Sequence, residues 1–212
     1  MQKFLPIFPL AMVAFPGEEL MLHIFEPRYK QLIKECIQEK KSFGIPVFNK
    51  NEILDYGTEM VVNGISKEYP NGEMDIVVTG LHAFRILDII QEIPDKLYSG
   101  AVVSVINNVL DIHSKINHEF DQLTDELFQL LEIKNKLEER GITSQSFKIA
   151  HYVGFNLIEE LELLKHSRES VRKKIMIQHI KNILPSIRQV AAIRARAKMN
   201  GQYHIVNPPD SL

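Results

Sequence analysis

The sequence contains a single cysteine, Cys36, among its 212 residues. One cysteine excludes an intrachain disulfide framework and a zinc site of the cysteine-rich kind, and it is compatible with a reducing cytosol. Long apolar runs are also absent, since no stretch approaches the roughly 20 residues that span a membrane. The apolar segment from Phe4 to Phe15 does not fit a signal peptide, because Pro6 and Pro9 would break its helix. We therefore expect a cytoplasmic protein that has no membrane partner.

Motifs of hydrolytic and nucleotide chemistry are missing as well. There is no G-x-x-x-x-G-K-[ST] loop to hold ATP phosphates and no G-x-S-x-G turn to present a nucleophilic serine. The eight histidines include no H-E-x-x-H pair of the kind that binds zinc. We therefore predict that the chain is not an enzyme and has no catalytic residue, no metal and no cofactor. A catalytic site assembled from scattered residues is the weaker alternative.

Charge is nearly balanced overall but is divided unevenly along the chain. The formal net charge is -2, which does not mark the whole chain as a nucleic-acid binder. Residues 167–200 are basic and include Arg172, Lys173 and Lys174, whereas the helical segments before them are acidic. This pattern favours a basic helix that packs beside acidic ones. Nucleic-acid binding through these three residues is the alternative, although no aromatic residues are interleaved with them for base stacking.

The first half of the chain, to about Leu110, has the pattern of short strands separated by turns. Runs rich in Val, Ile and Phe predict strands over residues 43–48, 59–69, 75–79, 84–90 and 101–109. The sequence Pro70-Asn71-Gly72-Glu73 predicts a two-residue hairpin, because Asn-Gly tolerates positive φ at both central positions. One helix is predicted from Pro27 to Glu39, and its apolar spacing makes Cys36 a buried core thiol.

The second half has helical periodicity. Apolar residues over 112–137 lie on one face of a predicted long helix that ends at Gly141. Three further helices are predicted over residues 144–153, 156–165 and 167–200. Asn156 and Glu159 have the spacing of a capping box, and Pro185 is expected to kink or break the last helix.

Two groups of motifs resemble a known family. The first group comprises Leu5-Pro6-Ile7-Phe8-Pro9-Leu10, Phe15-Pro16-Gly17 and Leu22-His23-Ile24-Phe25-Glu26-Pro27-Arg28-Tyr29. The second comprises Gly57-Thr58-Glu59, Asn71-Gly72, Val78-Thr79-Gly80-Leu81 and Arg85-Ile86. Together they resemble the signature of the N-terminal, substrate-binding domain of Lon proteases (peptidase S16). The resemblance extends more weakly through Ala150 to Gly154 and Leu161 to Leu164.

The resemblance implies an α+β fold, in which a PUA-like small β-barrel with one inserted helix is followed by a C-terminal α-helical bundle. We expect residues 1–110 to form the barrel and residues 111–212 the helical subdomain. The resemblance also implies a non-catalytic module that binds unfolded polypeptides or a dedicated protein partner, and it leaves homo-oligomerisation open. Because the sequence ends at Leu212, we interpret the chain as a stand-alone form without the ATPase and Ser-Lys protease domains of Lon. RNA binding, which occurs among PUA-like barrels, is the second hypothesis.

Three polar residues in the first group of motifs are candidates for substrate contact. His23, Glu26 and Arg28 lie in an apolar stretch, so that each needs a polar partner. We favour a structural role for them, in which Glu26 caps the helix that begins at Pro27 and Arg28 anchors this helix to the barrel. Contact with a bound polypeptide is the alternative.

Overall fold

The computed structural model describes residues 1–111, 113–133 and 144–202, with only the backbone for residues 198–202. The described residues of Met1–Ile112 and Leu137–Arg172 form one compact unit, and those of His113–Lys136 and Lys173–Leu212 form a second. The domain boundary expected at residues 110 and 111 stays a prediction. None of the described helices is long and apolar enough to cross a membrane.

The first unit is built on a six-stranded antiparallel sheet. Its strands are β1 (Gln2–Pro6), β2 (Glu19–Ile24), β3 (Phe43–Asn49), β4 (Glu52–Glu68), β5 (Met74–Ile90) and β6 (Gly100–Ile106). The strand order is β1-β6-β5-β4-β3, and β2 pairs with the first part of β5. Each apolar run that predicted a strand overlaps one of them, because half-buried pleated surfaces favour Val, Ile and Phe. The runs 59–69 and 101–109 extend past the ends of β4 and β6. The runs 75–79 and 84–90 prove to be parts of one continuous strand, β5.

The sheet is open, so the expected closed barrel is not confirmed. Among the described residues no ladder joins β1 to β3. Instead, the segment after β1 makes two isolated parallel bridges to β3, Ile7 to Gly44 and Leu10 to Val47. Phe8 and Leu10 donate to the Gly44 and Pro46 carbonyls, but Pro46 has no N–H group to donate in return. The apolar runs predicted parts of β3, β4, β5 and β6, but they indicated no strand over Glu19–Ile24 and did not show how the strands would join.

Helix α1 (Pro27–Glu39) packs against the sheet through an apolar stripe. Its buried residues are Tyr29, Leu32, Ile33 and Cys36, which share a core with residues of β3, β4 and β5. The helix ends where Lys40 adopts a left-handed conformation with φ 52°. Burial raises the pKa of the Cys36 thiol to about 12, with help from Glu35 and Glu39. The predicted bounds of this helix and the predicted burial of Cys36 are both confirmed.

The turn between β4 and β5 differs from the predicted two-residue hairpin. The Tyr69 N–H donates to the Glu73 carbonyl at 2.9 Å, and the Gly72 N–H donates to the Tyr69 carbonyl at 2.9 Å. The loop therefore contains Pro70, Asn71 and Gly72, and of these only Gly72 has positive φ, at 77°. Proline fixes φ near -65°, which suits the second position of a type I turn, so Asn71 takes the third position and Gly72 the left-handed one that follows.

Two short helices and a 3₁₀ turn complete the first unit. They are α3 (Gln145–Ile149), the turn Ala150–Tyr152 and α4 (Leu157–Lys165), which packs against β4 and β5. The predicted capping box is confirmed: the Asn156 side chain accepts from the Glu159 N–H at 3.1 Å, and the Glu159 side chain accepts from the Asn156 N–H at 2.8 Å. Since these helices belong to the same unit as the sheet, a separate C-terminal bundle is not confirmed.

His151 joins the 3₁₀ turn to two neighbouring segments. Its Nδ1 lies 2.7 Å from Glu160 of α4, and its Nε2 lies 3.2 Å from Glu18, which precedes β2. The His151 ring also packs 5.0 Å from the ring of Phe15. Burial by itself would lower the pKa of His151, but the two carboxylates outweigh it and raise this pKa to about 10. The imidazole is therefore protonated at neutral pH.

The second unit contains α2 (Ser114–Leu130) and the larger part of α5 (Glu169–Gln202), which continues through Pro185. Lys181 donates to Glu119 at 2.6 Å, and Arg188 pairs with Glu126 through two hydrogen bonds of 2.6 and 2.9 Å. These contacts confirm that the basic helix packs beside an acidic one. The helix predicted over 112–137 is shorter than expected: α2 ends at Leu130, and Glu132 has a positive φ of 56°. The predicted helix end at Gly141 lies outside the described residues.

Candidate functional site

Two cavities border the C-terminal half of α1 in the first unit. The first has a volume of about 580 Å³ and lies between α1, β1 and the segment that connects β5 to β6. Such a volume is in the range of sites for small molecules or single side chains of a ligand. Its lining residues are Lys3, Phe4, Leu5, Pro6, Glu35, Cys36, Glu39, Lys40, Lys41, Ser42, Ile93, Lys96 and Tyr98.

The second cavity has a volume of about 470 Å³ and lies between the end of α1 and β4. Its lining residues are Cys36, Ile37, Lys40, Lys41, Val61, Val62, Asn63, Gly64 and Ile65. Cys36, Lys40 and Lys41 line both cavities, so the two adjoin around the last turn of α1. Ile37 and Ile65 are 39% and 38% exposed, which leaves apolar surface at the mouth of the second cavity.

Strand β4 has a free edge beside the second cavity. On one side, β3 pairs with β4 only as far as Met60, which lies opposite Phe43. On the other side, β5 pairs with β4 as far as Glu68. Within the part of the chain that the structure describes, no strand pairs with the first side of residues 61–68. An edge of this kind presents backbone N–H and C=O groups that can pair with another chain.

Glu35 lies in the wall of the first cavity, and both of its carboxylate oxygens already accept hydrogen bonds. Its carboxylate accepts from Gln31 at 3.0 Å, from Lys96 at 2.8 Å and from the Tyr98 hydroxyl. Burial alone would raise the pKa of Glu35, but the bonds from Lys96, Tyr98 and Gln31 outweigh it and lower this pKa. The pKa of Tyr98 is raised, by burial first and by Glu35 second. Glu35 is thus an ionised carboxylate that already has its partners.

The lysines of the first cavity differ in their partners. Lys3 and the Ser42 hydroxyl both donate to one oxygen of the buried Glu59, each at 2.5 Å. The other oxygen of Glu59 is buried and has no partner among the described groups. Lys41 pairs with Glu39 at the surface. The Lys40 side chain makes no ion pair or hydrogen bond within the described ranges 1–111, 113–133 and 144–202.

The three candidates from the first group of motifs lie elsewhere and line neither cavity. His23 is half-exposed on β2, with Nδ1 2.6 Å from Asp75 and Nε2 3.4 Å from Glu73. Glu26 is the residue that caps α1, but its side chain makes no capping hydrogen bond. It pairs instead with Arg28 at 2.7 Å. Glu26 therefore stands at the predicted capping position, but its carboxylate engages the nearby guanidinium and not a backbone N–H group. Substrate contact by these residues stays a prediction.

The residues named for nucleic-acid binding are mostly inaccessible. Arg172 and Lys173 are 0% and 3% exposed, and only Lys174 is exposed. In the first unit, the Arg172 guanidinium pairs with the buried Glu169 at 2.7 Å. In the second unit, Lys173 donates to Asn117 at 2.8 Å. Buried cations cannot contact phosphate groups, so this geometry weighs against the nucleic-acid alternative.

Metal binding has no candidate among the described residues, where no group of three or more His, Cys, Asp or Glu could hold an ion. The expected absence of a catalytic residue and of a cofactor stays a prediction. What the structure offers is an apolar recess beside a strand edge.

The residues of this recess were not singled out from the sequence. The stripe on α1 predicted which residues face the core, but Lys40 and Lys41 follow the helix end without a motif of their own. The apolar residues Val61, Val62 and Ile65 lie in a strand whose burial pattern depends on where β3 stops. Only the contacts between distant segments bring these residues together.

Comparison with solved structures identifies the class of fold, and comparison of the sequence with family models identifies the family. The N-terminal domain of a Lon protease of the Mycobacterium avium complex is similar in structure, with a TM-score of 0.64 and 12% identity over 84% of this chain and 98% of the other. A Lon N-terminal domain protein of Xanthomonas campestris has a TM-score of 0.65 and 21% identity, over 83% of this chain and 98% of the other. The chain thus has the mixed α/β fold of Lon N-terminal domains. The model of the ATP-dependent protease La (LON) substrate-binding domain matches residues 4–199, and the chain belongs to this family.

Proposed function

We propose that the chain recognises extended segments of unfolded polypeptides at the free edge of β4 and in the adjoining second cavity. The supporting observation is that an unpaired strand edge, residues 61–68, lies beside an apolar recess of about 470 Å³. The membership of a substrate-binding family favours a recognition role over a purely structural one.

Strand addition suits a binder that does not select one sequence. The backbone of an added strand supplies N–H and C=O groups whatever its side chains are. Alternate side chains of the added strand would point toward the recess beside Ile37, Val62 and Ile65, where apolar groups leave water. A folded protein has its backbone groups already paired, so it would not compete for this edge.

The edge of β4 also limits the length of the bound segment. The pairing of β4 with β5 shifts register between Val62 and Gly64 and again between Ile65 and Lys67. Bulges bend a strand and interrupt regular pairing. We therefore expect an added strand of only a few residues, and affinity that depends on the apolar contacts beside it.

The test is fluorescence anisotropy with a labelled model protein in its unfolded and native forms. We expect the chain to bind the unfolded form and not the native form. Ile65→Asp places a charge at the mouth of the recess and should weaken binding about tenfold, because one lost apolar contact of an isoleucine is worth about 1.4 kcal/mol or more. Leu87→Asp is the matched control, since Leu87 is also exposed on the sheet, at 46%, but lines neither cavity.

Equal binding of the unfolded and native forms would contradict a preference for unfolded chains. Equal losses in the Ile65→Asp and Leu87→Asp variants would contradict the location. The thermal unfolding midpoint of each variant separates a loss of binding from a loss of folding.

A further inference from the structure

The two adjoining cavities differ in the groups that they offer to a ligand. The second is mainly apolar, whereas the first has four lysines in its lining, Lys3, Lys40, Lys41 and Lys96, against two glutamates. Lys40 and Lys41 stand where the cavities meet, because both residues line both. A ligand that occupies both cavities therefore lies next to these two residues.

We infer that this junction binds the C-terminal carboxylate of an apolar polypeptide, with the main chain along β4 and the last side chain in the first cavity. The inference rests on the proposed function and names the part of the polypeptide that the site takes.

At the junction, the groups that can still form hydrogen bonds are donors. Both oxygens of Glu35 already accept from protein groups, and Glu39 pairs with Lys41. Each lysine ammonium has three donors, and one ion pair uses only part of them. Lys40 has no partner for its side chain in the described part of the chain. The groups that remain unused are therefore ammonium N–H groups, which a carboxylate can accept.

The C-terminal end of α1 opposes the attraction between the lysines and a carboxylate. A helix C-terminus has a partial negative charge of about one half, which opposes an anion. Lys40 and Lys41 follow directly after the last residue of the helix, Glu39. Glu39 balances the charge of Lys41, and the full positive charge of Lys40 still exceeds that partial charge. The carboxylate is thus attracted to the lysines themselves, and the attraction should decrease with added salt because Lys40 is exposed.

The first cavity fits an apolar side chain next to that carboxylate. Phe4, Leu5, Pro6 and Ile93 provide an apolar wall in a volume of about 580 Å³. An internal stretch of polypeptide would have to carry its next residues past this wall, whereas a chain terminus can end there. The combination of a cationic entrance with an apolar recess selects a terminal carboxylate on an apolar residue over an acidic side chain.

The experiment compares two labelled peptides of the same apolar sequence, one with a free C-terminal carboxylate and one with a C-terminal amide. Binding to the full chain is measured by anisotropy at low and at physiological salt. We expect the free acid to bind about threefold to tenfold more tightly than the amide, the range of one or two exposed charge pairs. Lys40→Gln/Lys41→Gln should abolish this preference. Lys50→Gln is the matched control, because Lys50 also has positive φ, at 47°, and lines neither cavity.

Each outcome decides the inference. Loss of the preference in the Lys40→Gln/Lys41→Gln variant, with the preference kept in Lys50→Gln, supports it. Equal binding of acid and amide by the unmodified chain overturns the inference and leaves the proposed function standing. A preference that survives in Lys40→Gln/Lys41→Gln overturns the placement at this junction. If neither peptide nor the unfolded model protein binds, the proposed function itself fails, and the inference fails with it.

Discussion

Replacement of Arg172 by methionine tests whether a buried ion pair holds the first unit together. The Arg172 side chain is fully buried, and its guanidinium lies 4.1 Å from the centre of the Phe147 ring. It connects the start of α5 to three other segments. Its donors reach Ser146 at 2.9 Å, the His166 carbonyl at 2.6 Å, Asn108 at 2.6 Å, Ser144 at 3.3 Å and Glu169 at 2.7 Å.

The expected loss in the free energy of unfolding follows from the groups that lose their partner when Arg172 is replaced. Methionine fills part of the volume, but Glu169 remains as a buried carboxylate without its cation, and the acceptors on Asn108 and His166 lose their donor. Removal of one partner of a buried ion pair costs about 3–5 kcal/mol. Glu169 keeps three hydrogen bonds, from the Ser144 hydroxyl and from the N–H and hydroxyl of Ser146, which limits the loss to that range. A domain with a stability of about 5–15 kcal/mol would lose about a fifth or more of it.

Urea denaturation followed by circular dichroism measures this loss directly. Arg188→Met is the matched control in the same helix, because Arg188 makes a comparable pair with Glu126 but is exposed, and we expect little change from it. The double variant Arg172→Met/Glu169→Gln should recover part of the stability, since it removes the uncompensated charge. A loss of less than about 1 kcal/mol for Arg172→Met would refute the reasoning.

The same variant should have a characteristic pH dependence. In the unmodified chain, burial would raise the pKa of Glu169, but the bonds from Ser144, Ser146 and Arg172 outweigh it and hold this pKa below 4.5. A lowered pKa contributes stability at pH values above the unfolded pKa, and this contribution is lost as the pH falls. Without Arg172, fewer hydrogen bonds oppose the effect of burial, so the pKa of Glu169 should rise. The difference in free energy of unfolding between the unmodified chain and the Arg172→Met variant should therefore decrease as the pH falls toward 4.

Two further predictions concern stability. His151→Gln should destabilise the chain most below about pH 6.5, and the difference should vanish as the pH rises through about 10, because the raised pKa keeps the imidazole charged up to that value. Urea denaturation at a series of pH values checks this, and a gap that stays constant to pH 11 would contradict it. Gly57→Ala should cost about 1–3 kcal/mol, since its Cβ would lie 2.3 Å from the Ile45 carbonyl oxygen. Gly64→Ala should be tolerated, because a Cβ there meets no atom within 4 Å; equal thermal midpoints for the two variants would argue against the steric explanation.

Local patterns in the sequence were sufficient for several elements. The spacing of Tyr29, Leu32, Ile33 and Cys36 defines one face of a helix, and proline at the first turn fixes where that helix begins. Asn156 and Glu159 are three residues apart, so their capping box forms within a single turn. Interactions over three or four residues need no information from the rest of the chain. The motifs that resembled Lon N-terminal domains likewise indicated the family, which the match over residues 4–199 confirmed.

Turn geometry was harder to predict because neighbouring residues compete. Asn71-Gly72 alone favours a two-residue loop, but Pro70 shifts the turn by one position and gives a loop of three. Pairing between strands was harder still. Whether the ends of the sheet meet depends on hydrogen bonds between distant residues such as Phe8 and Gly44, and Pro46 has no N–H group to extend them.

The sequence by itself determined most of the strand-forming and helix-forming segments, the burial of Cys36 and the family, because each is encoded in periodicity or in a contiguous motif. Only the tertiary structure decided that β3 stops at Met60 of β4 and leaves residues 61–68 with a free edge. It also decided that Arg172 is buried, although the sequence shows it only as one of several basic residues. The physical reason is the same in both cases: a strand edge and a buried charge are defined by what lies opposite them, and those neighbours come from distant parts of the chain.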